Sequence, residues 1–194
     1  MNPGATETRR DRWLNPPNLI TLLRLVLVPF VVRDILREDY KSAAAIFLFA
    51  AFTDAVDGFL ARRFGWISRA GAYLDPVVDK IFLSAIFISL AIEQAIPWWF
   101  VALVFARDFL LLFSSALAMI FTRLRAFPPT PWGKLSTFFQ ILCAASVLFY
   151  NAVPLAVLEA AARTLLWLAA AATLWSGIHY GWVGAHRLRG HPDD

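Results

Sequence analysis

Six long stretches of mostly apolar residues, at about 18–36, 43–63, 72–95, 97–121, 134–152 and 158–184, set the rhythm of the chain. Each is close to the roughly 20 residues that an α-helix needs to cross about 30 Å of hydrocarbon. The stretches are separated by REDYK, RRFGWISRAG, EQAIP, TRLRAFPPTPWG and NAVP, every one of which holds proline, glycine or charge and so interrupts the apolar pattern. The pattern predicts an all-α, polytopic membrane protein with six transmembrane helices and an N-terminal interfacial segment. Residues 1–17 form that segment, 18–186 the membrane domain and 187–194 a cytoplasmic tail.

Composition strengthens the prediction. The chain is 59% hydrophobic and 16% charged, against about a quarter charged in an ordinary soluble domain, and its mean hydropathy is +0.60. At 194 residues, six spans use nearly the whole chain. The segment MNPGATETRRDRWLNPP lacks the apolar core and small-residue cleavage pattern of a secretory signal, so the first span is expected to be retained. The lone cysteine, Cys143, lies in an apolar run and permits neither an intramolecular disulfide nor a cysteine-based metal cluster.

The basic residues give the orientation. Arg9, Arg10, Arg12, Arg62, Arg63, Arg69, Arg123, Arg125, Lys134, Arg187 and Arg189 fall on the side of the N-terminus, against Arg33, Arg37, Lys41 and Arg163 opposite; Arg24, Lys80 and Arg107 lie within spans, completing the 18. Basic loops stay in the cytoplasm, which puts both termini there. A net charge of +4 dispersed over such loops suits anionic lipid head groups and not a nucleic acid. Trp98, Trp99, Trp132 and Trp182 near span ends fit an aromatic belt.

Against this background DAVDGFLARRFGWISRAGAYLDPVVD, residues 54–79, is out of place, with four aspartates where each costs about 2.5–3.5 kcal/mol if it meets lipid. At about 100° per residue, Asp54, Asp57, Gly58 and Ala61 share one helix face, which offers charge together with room. Asp75 and Asp79, four apart, share a face of the next helix. Two helices joined by a loop of about ten residues are antiparallel neighbours, so the acid pairs converge near the cytoplasmic end. Four hard oxygen donors without a nearby histidine suit Mg²⁺ or Mn²⁺, and a pair of such ions cancels the charge that makes the acids costly.

Simpler readings exist for each residue alone. Asp75, before Pro76, has the look of a helix cap. Asp54 and Asp57 have Arg62, Arg63 or Arg107 as salt-bridge partners, and Arg63 serves as a snorkelling anchor. None explains why small residues and paired acids repeat across the loop. Arg62, nearer the acid face, is shaped to hold a phosphate oxygen, and with divalent ions it points to chemistry on a phosphate or pyrophosphate at the lipid surface.

Asp54-x-x-Asp57-Gly58-x-x-Ala61-Arg62, eight residues, then Gly71-x-x-x-Asp75-x-x-x-Asp79 resembles the signature of the CDP-alcohol phosphatidyltransferases, with every fixed position present. Pro17-Asn18-x-x-Thr21-x-x-Arg24 resembles the family's N-terminal entry. The resemblance implies a two-metal displacement on a CDP-linked lipid with CMP leaving. Asp54, Asp57, Asp75 and Asp79 are then metal ligands for two Mg²⁺ or Mn²⁺ ions, and Asp79 is also the base that takes the acceptor's proton. Asn18, Thr21, Gly58, Ala61, Arg62 and Ser68 fall to the CDP-lipid, CDP-diacylglycerol, and a homodimer among membrane lipids is implied.

The acceptor is read from weaker signals. FARDFLLLFSSAL, with Arg107-Asp108 and no second arginine, and PPTPWGKLSTFFQ, with Pro129, Thr130, Lys134, Thr137 and Gln140, resemble the CMP-forming cardiolipin synthase branch more than the phosphatidylglycerophosphate synthases. Arg107 and Lys134 are expected to hold the acceptor's phosphate in either case, with an ion pair of Arg107 to Asp108 or to the aspartates, and an interfacial anchor at Lys134, as the plainer readings. Phosphatidylglycerol is thus the expected acceptor and glycerol 3-phosphate the alternative. A cation transporter is the rival of another class, but it needs acids spread along a path through the bilayer.

Overall fold

The computed structural model describes residues 16–64, 69–121 and 131–189, which form six α-helices and no strand: α1 (Pro16–Leu36), α2 (Tyr40–Phe64), α3 (Arg69–Ile92), α4 (Trp98–Phe121), α5 (Pro131–Ala152) and α6 (Ala156–Arg189). Prolines mark several starts. Pro16 and Pro17 open α1 and Pro131 opens α5, where the missing N–H has no helical partner to lose. Pro97 precedes α4, and its carbonyl accepts from the Phe100 N–H at 3.0 Å. α5 and α6, the latter over Ala156–Trp182, are long and apolar enough to cross a membrane.

Two compact units divide the chain, one containing α1–α3 and the other α4–α6. In the first, α1 lies against both α2 and α3. The turn from α1 to α2 takes only residues 37–39. There the Asp39 N–H donates to the Asp34 carbonyl at 2.9 Å and the Glu38 N–H to that of Ile35 at 2.9 Å, with Glu38 at φ 58°. This is a Schellman stop, which leaves the left-handed position to a glutamate where glycine is favoured. Asp39 then caps α2, its carboxylate accepting from the Ser42 N–H at 3.2 Å. Buried apolar positions recur three or four apart, as in Ala43, Phe47 and Ala50 of α2 and Val78, Phe82 and Ile86 of α3, and the Phe47 and Phe82 rings stack at 6.4 Å.

In the second unit α4 lies against α6, and Trp99 meets Trp167 with ring centroids 5.4 Å apart. α5 buries a stripe of mostly small side chains, Gly133, Ser136, Gln140, Ala144 and Val147. Small residues bring backbones close and leave side-chain hydrogen bonds as the contact between helices. Ser136 and Thr173 lie 3.0 Å apart, oxygen to oxygen, and the Gln140 amide nitrogen donates to Thr173 at 3.0 Å, all three side chains being fully buried.

Candidate active site

α1 carries Thr21 and Arg24 three residues apart and so on one face. Both are buried, Thr21 wholly and Arg24 to 3% exposure. One terminal nitrogen of Arg24 lies 2.7 Å from Asp54 Oδ1 on α2, and the other pairs with Asp79 Oδ1 on α3. The Thr21 hydroxyl donates to Asp75. A single guanidinium therefore joins carboxylates from two helices, with a third carboxylate held by the same face of α1.

The aspartates open outward from this floor: the side chains of Asp54 and Asp79 are 52% and 47% exposed. Hard oxygen donors already gathered on one cation, and reachable from outside, suit a hard divalent ion. No group of three potential metal-binding side chains forms among the described residues. The side chains of Asn18, Asp57, Gly58, Ala61 and Arg62, and Ser68 altogether, lie outside the described residues, although positions 57, 58, 61 and 62 belong to helix α2.

Some of the simpler sequence readings change here. Asp75 is no helix cap, because α3 begins at Arg69 and runs through Pro76. Asp54 has an ion-pair partner in Arg24, a residue that spacing along α2 and α3 does not single out. Thr21, from the N-terminal motif, donates a hydrogen bond to Asp75. The available signal was Arg24 itself, a cation in the middle of an apolar stretch and one helical turn from a threonine.

The second unit has its own buried charge. Arg107 and Asp108 are 7% and 8% exposed and pair at 3.0 Å, so the ion pair between sequence neighbours is present. The Arg107 guanidinium also donates to Ser176 Oγ at 3.1 and 3.3 Å and to the Gly133 carbonyl at 3.4 Å. A Cβ on Gly133 would stand 3.0 Å from an Arg107 terminal nitrogen and 3.3 Å from the Tyr180 hydroxyl, so this glycine makes the arginine's position possible. Lys134, one residue on, is exposed, and Thr137 donates to the Gly133 carbonyl at 3.2 Å.

Comparison with known proteins places this arrangement in a lineage. The chain is 39% identical over 175 residues to the Escherichia coli CDP-diacylglycerol–glycerol-3-phosphate 3-phosphatidyltransferase, covering 86% of this chain and 92% of the relative. A Mycobacterium tuberculosis protein provisionally named cardiolipin synthase is 33% identical over 184 residues, covering 93% of this chain and 86% of the relative. Another from the same organism, named with similar reserve phosphatidylglycerophosphate synthase, is 34% identical over 180 residues, 88% of this chain and 82% of its own. The family model of the CDP-alcohol phosphatidyltransferases matches residues 14–175, from before the Thr21–Arg24 face to the helix that holds Ser176, and the chain belongs to that family of phospholipid-synthesising enzymes.

Proposed function

We propose that this enzyme transfers the phosphatidyl group of CDP-diacylglycerol to the hydroxyl of phosphatidylglycerol, forming cardiolipin and releasing CMP. Asp54, Asp57, Asp75 and Asp79 hold two divalent ions, Mg²⁺ or Mn²⁺, which when bound neutralise the negative charge of the pyrophosphate and of the departing CMP. Asp79 takes the proton of the acceptor hydroxyl. The oxygen so freed forms a bond to the phosphorus that carries diacylglycerol, and the bond from that phosphorus to the CMP oxygen breaks. Asn18, Thr21, Gly58, Ala61, Arg62 and Ser68 receive the CDP-lipid. Arg107 and Lys134 receive the acceptor's phosphate.

The observation that carries this reading is the meeting of Asp54 and Asp79, from different helices, on one cationic group. Carboxylates that converge so closely in a chain this apolar need positive charge, and a pyrophosphate lipid with its ions supplies more of it. The enzyme lies in the membrane through six spans, with both termini and the site on the cytoplasmic side, and works as a homodimer. Broad exposure of Phe52, Phe109, Leu112, Trp167 and Trp182 supports a lipid surround. Glycerol 3-phosphate is the second acceptor reading, supported by the Escherichia coli relative.

Labelled CDP-diacylglycerol offered with phosphatidylglycerol, glycerol 3-phosphate, inositol phosphate or serine in turn decides the acceptor. Cardiolipin as sole product, dependent on Mg²⁺ or Mn²⁺, is expected. Exclusive consumption of glycerol 3-phosphate overturns the acceptor assignment, and full activity after chelation overturns the metal assignment.

A further inference from the structure

The cation beneath the aspartates belongs to α1, not to either helix of the acidic motif. A guanidinium stays protonated, and burying it to 3% exposure is costly unless carboxylates answer it. Asp54 and Asp79 do so, one from α2 and one from α3. Arginine's rigid fork of donors lets one residue serve two carboxylates at once, which the single point charge of a lysine does poorly. The Thr21–Asp75 hydrogen bond fixes the next carboxylate from the same face.

We propose that Arg24 is a positioning residue and the resident counter-charge of the site: it keeps Asp54 and Asp79 together when no divalent ion is bound, and it sets divalent-ion affinity by competing for their oxygens. The inference rests on the reading of these aspartates as metal ligands. Without Arg24, Asp54 and Asp79 lose the positive charge they share, so the ion-free protein loses stability. With a divalent ion bound, that deficit is filled from outside. Removing a fixed positive charge from beside a cation site also strengthens binding of the ion.

The test uses the full-length protein purified in detergent, titrated with Mn²⁺ by calorimetry and unfolded thermally in EDTA and in saturating Mn²⁺. Arg24→Gln is expected to bind Mn²⁺ about tenfold more tightly than the wild type. Its unfolding midpoint is expected to fall in EDTA and to recover to near the wild-type value in Mn²⁺. Arg24→Lys keeps the charge, so its affinity stays near wild type while its midpoint in EDTA falls by less. An equal loss of midpoint in both conditions, or unchanged or weaker Mn²⁺ binding by Arg24→Gln, overturns the proposal. Should Arg24→Gln not fold, Arg24→Lys decides: a midpoint lowered in EDTA alone supports the counter-charge, and one lowered equally in both conditions overturns it. Wild-type protein that takes up no Mn²⁺ overturns the metal reading and this inference together, whereas wild-type binding with a failed Arg24 series overturns the inference alone.

Discussion

Asp79 has three tasks that share one carboxylate: it meets the Arg24 guanidinium, and in the proposed reaction it helps to hold the divalent ions and accepts the proton of the acceptor hydroxyl. Asparagine keeps its size and an oxygen that still accepts from Arg24, but it carries no negative charge and takes no proton. CMP release by Asp79→Asn is therefore expected to fall by about 10²- to 10⁴-fold in a steady-state assay. A loss smaller than about threefold would assign the base to another residue. Gly133 makes a different kind of demand. A methyl group there pushes on the Arg107 guanidinium and the Tyr180 hydroxyl, both at the ends of flexible side chains, so the protein folds but the arginine moves. Gly133→Ala is expected to raise KM for the acceptor about threefold to tenfold with KM for CDP-diacylglycerol unchanged. Equal changes in both constants would argue against Arg107 as an acceptor-binding group.

At the level of helices, the turn between α1 and α2 is economical and slightly strained. Glu38 occupies the left-handed region at φ 58°, where an L side chain is disfavoured by about 1 kcal/mol and glycine is not. Glu38→Gly is expected to raise the unfolding midpoint by about 2–4 °C. A lowered midpoint would mean that the glutamate side chain contributes more than its backbone position costs. The six helices themselves were legible from the spacing of apolar stretches and of proline, glycine and charge, to within a few residues at most ends. Spacing also placed Asp75 and Asp79 on one face of α3. It could not show which third helix packs against α2 and α3, because periodicity reports faces within a helix and not the neighbour that meets them. That neighbour is α1, and its Arg24 answers two of the acids.

For the molecule as a whole, the distribution of charge favours an enzyme over a cation pathway. In the first unit Asp54 and Asp79 gather on the Arg24 guanidinium, while Asp34, further along α1, is held by Arg33 and Ser42; in the second unit Asp108 pairs with Arg107, so each of these acids has its own local partner. The motif from Asp54 to Asp79 made the family readable from sequence, since its eight fixed positions leave little room for coincidence. The acceptor was less readable because Arg107 and Lys134 offer the same charge to any phosphate. The three-residue turn joining α1 to α2 has a consequence for how such a protein is made. Arg24 and Asp54 sit on consecutive helices, 2.7 Å apart when folded. Each alone costs about 2.5–3.5 kcal/mol to carry into a bilayer. In the proposed six-span arrangement, a tight hairpin allows the two helices to leave the translocon together with their charges already joined. A nascent chain ending after α2 is accordingly expected to integrate well with both residues present and poorly with Asp54→Leu, which strands the arginine; equal integration of the two, scored by glycosylation mapping, would show that α1 and α2 enter the membrane one at a time.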